Sequence, residues 1–153
     1  GAETWVSSSS DEKISKAVEY GATGGIRYDQ EGWRKKTMAE IGEGFDLIFD
    51  GAGGSNFGEL VRMLNPAGRI VFYGGTRGSW PAILPQHLFY KQVSILASTM
   101  GSPQEFRDMV AFVERYKLRP VVDRVFPLSE ASQALARLQS GDQLGKVVIE
   151  VQR

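Results

Sequence analysis

Two apolar runs, each closed by glycines, constrain this chain more than any other feature. Phe45-Asp46-Leu47-Ile48-Phe49-Asp50 leads straight into Gly51-Ala52-Gly53-Gly54, and Arg69 to Tyr73 leads into Gly74-Gly75-Thr76. Near-continuous apolar runs of this length read as strands buried on both faces, as in a parallel sheet covered by helices. Between them Phe57, Leu60, Val61 and Leu64 share one helical face, Ser55 stands at the cap position, and Asn65-Pro66-Ala67-Gly68 ends the helix. Strand, helix and strand at this spacing predict an α/β fold with a doubly wound parallel sheet. Glycines clustered after apolar runs, with a further pair at Gly24-Gly25, mark strand ends where backbone can approach a ligand.

The same alternation extends in both directions. Thr4 to Val6 reads as a short strand running into Ser7-Ser8-Ser9-Ser10. Ser10 caps a helix from Asp11 whose apolar face is Ile14, Ala17 and Val18, with Gly21 past its end. A strand at Gly25 to Tyr28 and a polar helix at Glu31 to Ile41 follow. Beyond Thr76 come an apolar segment at Trp80 to Leu84, helical turns within Pro85 to Lys91, and a strand at Val93 to Ser98. Ser102-Pro103-Gln104-Glu105 is a helix start with a capping box and proline in the first turn. Phe106, Met109, Val110 and Val113 form that helix's expected buried stripe. Val121 to Phe126 is a strand, Ser129 opens a helix that ends at Gly141, and Lys146 to Val151 is the last strand. Residues 1–99 are expected to form a partial sheet domain and residues 100–153 a helix–strand–helix–strand segment.

Composition removes several classes of function. Lys and Arg number 18, as do Asp and Glu, so no basic excess exists to bind a phosphate backbone, and nucleic acid is not an expected partner. The chain has no cysteine and one histidine, His87. Disulfides, cysteine-held zinc, iron–sulfur clusters and thiol catalysis are therefore excluded, and no zinc is expected on this chain. No apolar run approaches the roughly 20 residues that span a bilayer, and a signal-peptide layout is absent from the first residues. No membrane association and a cytoplasmic setting are expected.

From Gly1 to Val151 the chain resembles the medium-chain dehydrogenases/reductases, the group of zinc-type alcohol dehydrogenases and quinone oxidoreductases. The resemblance rests on Ser7 to Lys13 with Tyr20-Gly21-Ala22, on Phe45 to Gly53, and on Leu64 to Gly75. Phe126-Pro127-Leu128 with Ala131, and Gly145-Lys146-Val147-Val148, add to it. It implies a Rossmann-like fold, and it implies that the first strand, the glycine-rich phosphate turn, the first helix and the catalytic domain lie outside this chain. A C-terminal portion of an oxidoreductase, inactive alone, is the expectation.

The resemblance also assigns positions. In a Rossmann fold an acidic residue at the end of the second strand holds the ribose 2′-hydroxyl of NAD; here that position is Ser8, between Ser7 and Ser9, with Lys13 one turn into the helix. Hydroxyls, a helix N-terminus and an ammonium suit a phosphate, so NADP is the expected cofactor. The resemblance puts Gly51, Ala52 and Gly53 beside the cofactor ribose, Gly74, Gly75 and Thr76 beside the nicotinamide, and Ala97 to Thr99 beside the carboxamide. Lys146 resembles a basic residue near the cofactor in some relatives, though a solvated lysine at a strand start fits equally. His87 reads as a packed or surface residue, and Asp50 as a carboxylate bonding loop amides. No catalytic residue is assigned. The substrate implied is a small alcohol, carbonyl, enone or quinone. A homodimer is expected through an edge strand near Trp80 to Leu84.

Two other readings compete. Phe45 to Asp50 and Leu64-Asn65-Pro66-Ala67-Gly68-Arg69-Ile70 also look like late strands of a class I methyltransferase using S-adenosylmethionine. The segments from Leu88 to Gly101 and from Val125 onward fit the dehydrogenase better. A folded fragment that holds no ligand tightly is the third.

Overall fold

A computed structural model describes residues 1–151. It divides into a first unit, Gly1–Met100, and a second that begins at Gly101. The first unit runs β1 (Trp5–Ser8), α1 (Asp11–Glu19), β2 (Gly24–Arg27), α2 (Trp33–Ile41), β3 (Phe45–Asp50), α3 (Phe57–Arg62), β4 (Leu64–Phe72), α4 (Gln86–Phe89) and β5 (Ser94–Ala97). β1 pairs with β2, and β4 lies between β3 and β5; every pairing is parallel. Parallel neighbours need crossover connections, which α1 and α3 supply.

The core sits under the three-stranded sheet. Phe57 and Val61 from α3 meet Leu64 and Ile70 of β4, all buried, with Ile48, Phe72 and Ile95 packed around them. Burying each such side chain contributes about 1.5–3 kcal/mol. Asn65 fastens the start of β4 to the residue before β3: its Oδ1 accepts from Gly44 N at 2.8 Å and its Nδ2 donates to Gly44 O at 3.0 Å. Lys91 Nζ donates to the carbonyls of Arg62 at 3.0 Å and Leu64 at 2.7 Å, satisfying acceptors at the end of α3 and the start of β4.

The second unit comprises α5 (Pro103–Arg115), β6 (Val122–Pro127), a 3₁₀ turn (Leu128–Glu130), α6 (Ala131–Ser140) and β7 (Lys146–Glu150), with β6 and β7 parallel. Phe126 and Ala134 are buried between sheet and helix. Arg137 forks onto Asp123 with two 3.0 Å bonds, and Leu144 N donates to the same carboxylate at 3.1 Å.

Caps explain the helix starts. Ser10 Oγ accepts from Lys13 N at 3.3 Å, and the box at Ser102 and Glu105 closes in both directions. Four expectations need correction. Ser55 does not cap α3: Asn56 is the cap residue, without a side-chain bond, and Phe57 N reaches Gly54 O in a tight turn instead. Leu64 starts β4 rather than ending the helix. Trp80 to Leu84 forms no strand. Pro81 has no N–H to offer a ladder, and Trp80 turns inward, stacking on Phe57 at 3.8 Å and meeting Phe72 edge-on at 4.9 Å. The α5 stripe is not buried: Phe106 is 63% and Met109 50% exposed, because the helix has no apolar cover in its own unit.

Candidate cofactor site

The carboxyl ends of β3 and β4 carry two loops that lock together. Arg77 N donates to Ala52 O at 2.9 Å and Gly54 N to Gly78 O at 3.1 Å. Asp50, 8% exposed at the end of β3, shapes the first loop. Its Oδ1 accepts from Ala52 N and its Oδ2 from Gly53 N, each at 3.0 Å. The carboxylate bonds loop amides, as its sequence position suggested.

Glycine is required here by two separate demands. A Cβ on Gly74 would lie 2.4 Å from Gly51 O, so the loops could not meet. Gly53 and Gly54 hold φ of 67° and 79°, left-handed values that favour glycine. Gly75 differs: nothing lies within 4 Å of its missing Cβ. The open side of Gly75 belongs to a cavity of about 420 Å³. Gly53 and Gly74 line it with Gly75, and Tyr73, Trp80 and Ser98 close it. It brings together the ends of β3, β4 and β5.

Gly51 and Ala52 stand in the same loop as Gly53, with Gly51 against the Tyr73 ring. Thr76 is exposed beyond Gly75, and Ala97 and Thr99 are exposed on either side of Ser98. None of these three lines the cavity, although Ser98 between the last two does. Sequence reasoning missed Trp80 and Tyr73 as wall residues, while Ser98 falls within the expected range Ala97 to Thr99. Trp80 had a signal, an aromatic between a glycine-rich turn and a proline, but it was read as an edge strand. Gly24 and Gly25 are not ligand-facing: their missing Cβ atoms would strike the Trp5 ring at 2.6 Å and Ile14 at 2.2 Å. They allow close packing of β2 against β1 and α1.

The serine turn lies at the carboxyl end of β1. Ser8 Oγ accepts from Ser10 N at 3.1 Å, which fixes the turn before α1. Ser7 and Ser9 are exposed on either side, and Lys13 lies one turn into the helix. Ser8 is in register with Arg27 of β2. Arg27 donates to both oxygens of Asp29 at 2.9 Å and to Asp11 Oδ2 at 2.6 Å. These carboxylates, Asp29 foremost, hold the guanidinium pKa above its ordinary range, while Arg27 holds the Asp29 carboxyl below its own. Arg27 is a cation that the sequence reading overlooked. Its position beside Ser8 becomes visible only once the strands are paired.

His87 is half-buried on α4, and Lys146 is exposed at the start of β7. Among the described residues no three His, Cys, Asp or Glu side chains gather as a metal would require, and no helix is long and apolar enough to cross a membrane.

A family described as zinc-binding dehydrogenase matches residues 20–149. The zinc-type alcohol dehydrogenase-like protein YogA of Leptosphaeria maculans is 37% identical, aligned over 99% of this chain and 44% of its own length. Quinone oxidoreductase-like protein 2 of Bos taurus is 28% identical, over 93% of this chain and 44% of its own. Among solved structures, an NAD-dependent alcohol dehydrogenase superposes with a TM-score of 0.87 at 33% identity, covering 99% of this chain and 45% of that one. The chain thus spans less than half the length of the relatives it matches. A match running from the end of α1 to β7 takes in both glycine loops, and with it the chain belongs to the zinc-binding dehydrogenase family.

Proposed function

We propose that this chain is the cofactor-binding portion of an NADP(H)-dependent oxidoreductase. The full-length protein moves hydride to or from a small alcohol, carbonyl, enone or quinone, and acts in the cytoplasm. One observation carries the reading: the serine turn and both glycine loops stand at the carboxyl ends of parallel strands, where open α/β sheets bind ligands. The open side of Gly75 and the apolar walls of its cavity fit a nicotinamide ring. When bound, that cofactor supplies or accepts the hydride.

The chain's own residues orient and shield. Asp50 holds the β3 loop in the conformation that lets Gly74 approach it. Trp80 and Tyr73 wall the cavity and keep water from one side. At the other end of the crevice, Ser8 offers a hydroxyl where a carboxylate would repel a 2′-phosphate. Lys13 and the N–H groups at the start of α1 lie beside it, and Arg27, in register with Ser8, is held in place by Asp11 and Asp29. Ser7 and Ser9 flank this contact. Gly51, Ala52, Gly53, Gly74, Thr76, Ala97 and Thr99 border the remainder of the cofactor.

Zinc is another matter. The described residues offer no cluster of three His, Cys, Asp or Glu side chains to hold it. Titration of the full-length protein with NADPH, NADH and S-adenosylmethionine tests the reading. Tight NADPH binding is expected; a preference for NADH overturns the cofactor choice, and binding of S-adenosylmethionine alone overturns the reaction class. We also propose a homo-oligomer, supported by the free edge of β5 and exposed Leu96 upon it. A monomer in sedimentation at micromolar concentration counts against it.

A further inference from the structure

An ion cluster beside the serine turn ties α1 to β2. Arg27 stands in parallel register with Ser8, one strand spacing of about 4.8 Å away. Two carboxylates share its guanidinium, and the attachments differ in kind. Asp29 is held as a fork: Arg27 Nε donates to its Oδ1 and Nη2 to its Oδ2, each at 2.9 Å. A forked pair fixes the plane of the guanidinium. Asp11 is held by a single bond, from Nη1 to Oδ2 at 2.6 Å. It reaches over from another element, as the first residue of α1, and its side chain is 77% exposed. A single bond to so exposed a carboxylate contributes little and yields to a stronger anion.

We infer that Asp11 is a specificity-determining residue: its carboxylate occupies the place on Arg27 that the cofactor's 2′-phosphate takes, and so holds down the preference for the phosphorylated cofactor. The inference rests on the phosphate contact proposed at Ser8. Asp11 already has the partners that such a phosphate would seek, a guanidinium and the start of a helix. While it stays, Arg27 faces two carboxylates, and a dianion arriving at Ser8 meets their repulsion. Binding is therefore an exchange. The phosphate carries more charge and more acceptor oxygens than the carboxylate it replaces. Asp11 gives up one bond and returns to water, to which it is already largely open. Asp29 keeps its fork and holds Arg27 in orientation throughout. A ribose without the phosphate asks nothing of Arg27 and leaves Asp11 where it is. Asp11 thus lowers affinity for NADP(H) and not for NAD(H).

The test is calorimetric titration of the full-length protein with adenosine 2′,5′-bisphosphate and with adenosine 5′-monophosphate, which differ only in the 2′-phosphate. The parent is compared with Asp11→Asn, a neutral side chain of the same shape at an exposed position. Asp11→Asn is expected to bind the bisphosphate about fivefold more tightly, the upper range for an exposed ion pair, and the monophosphate as the parent does. The gain should vanish in the Arg27→Gln background, because it runs through the guanidinium. Unchanged or weaker bisphosphate binding by Asp11→Asn overturns the inference; weaker binding would make Asp11 a residue that orients Arg27 for the phosphate. An equal gain for both nucleotides overturns it too, as does a gain that persists in the Arg27→Gln background, which would reduce the effect to long-range charge. The reading on which it rests fails separately. A parent that binds the two nucleotides equally overturns the NADP choice, and Asp11→Asn still decides whether Asp11 competes for Arg27. Failure of every variant to bind either nucleotide overturns the cofactor reading and this inference together.

Discussion

Neighbouring glycines in one loop answer to different forces, and single substitutions separate them. Gly74→Ala places a methyl 2.4 Å from Gly51 O, backbone that cannot swing aside. Both loops must shift, so a lower Tm and weaker cofactor binding are expected together. Gly75→Ala meets nothing within 4 Å. Its Tm should stay within about 0.5 kcal/mol equivalent of the parent, while cofactor affinity falls because the methyl enters the cavity. Thermal unfolding and cofactor titration of the two variants check this; equal Tm losses would contradict it. At the other end of the crevice, Ser8→Asp in the full-length protein should reverse a preference for NADPH over NADH. A good phosphate contact set is worth about 1–3 kcal/mol, or roughly 5–150-fold in affinity. Dissociation constants for both cofactors decide it.

Among the elements, the segment after the second glycine loop shows how one side chain sets a path. Trp80 is 39% exposed yet stacks on Phe57, the centre of the core. Trp80→Ala should cost about 2 kcal/mol, less than the 3–5 typical of a fully buried aromatic. That lowers Tm by roughly 4–8 °C for a chain of this size, and Trp80→Phe should recover most of it. A solvent-exposed edge strand would show neither effect. Helix α5 carries a pH signature. Glu105 bonds Ser102 N, which lowers the carboxyl pKa from its ordinary 4.5. The folded value lies below the unfolded one, so the stabilisation is complete above pH 4.5 and is lost as pH falls through the lowered value. Helix amides near Glu105 should lose exchange protection in that acid window and not between pH 5 and 8. Ser102→Ala removes the other half of the box and should cost about 1 kcal/mol at neutral pH.

For the molecule as a whole, surface composition is the telling property. Phe106, Met109 and Phe112 on α5 and Leu135 and Leu138 on α6 are each about half exposed or more. These side chains have no cover within their own unit. Hydride transfer needs donor and acceptor held together, and such positioning is worth roughly 7–11 kcal/mol. The chain alone is therefore expected to show no turnover with NADPH against aldehydes, enones and quinones. Turnover matching an intact dehydrogenase would mean that residues 1–153 already hold the whole catalytic apparatus.

The sequence alone determined the order of elements, because that order is written in local signals. Apolar runs ended by glycine marked β3 and β4, and short-range caps at Ser10 and Ser102 set the starts of α1 and α5. These depend on residues a few positions apart. Tertiary structure decided what depends on distant neighbours. Gly24 and Gly25 looked like ligand loops, but the need for glycine comes from Trp5 and Ile14. Trp80 looked like an edge strand until Phe57 and Phe72 captured it. The α5 stripe has a helical period, which says that one face wants cover and not what provides it. Arg27 came beside Ser8 only through the parallel register of β1 and β2, a pairing that no local pattern encodes. Local patterns fix which segments become strands and helices; which side chains meet is fixed by packing between segments far apart in the chain.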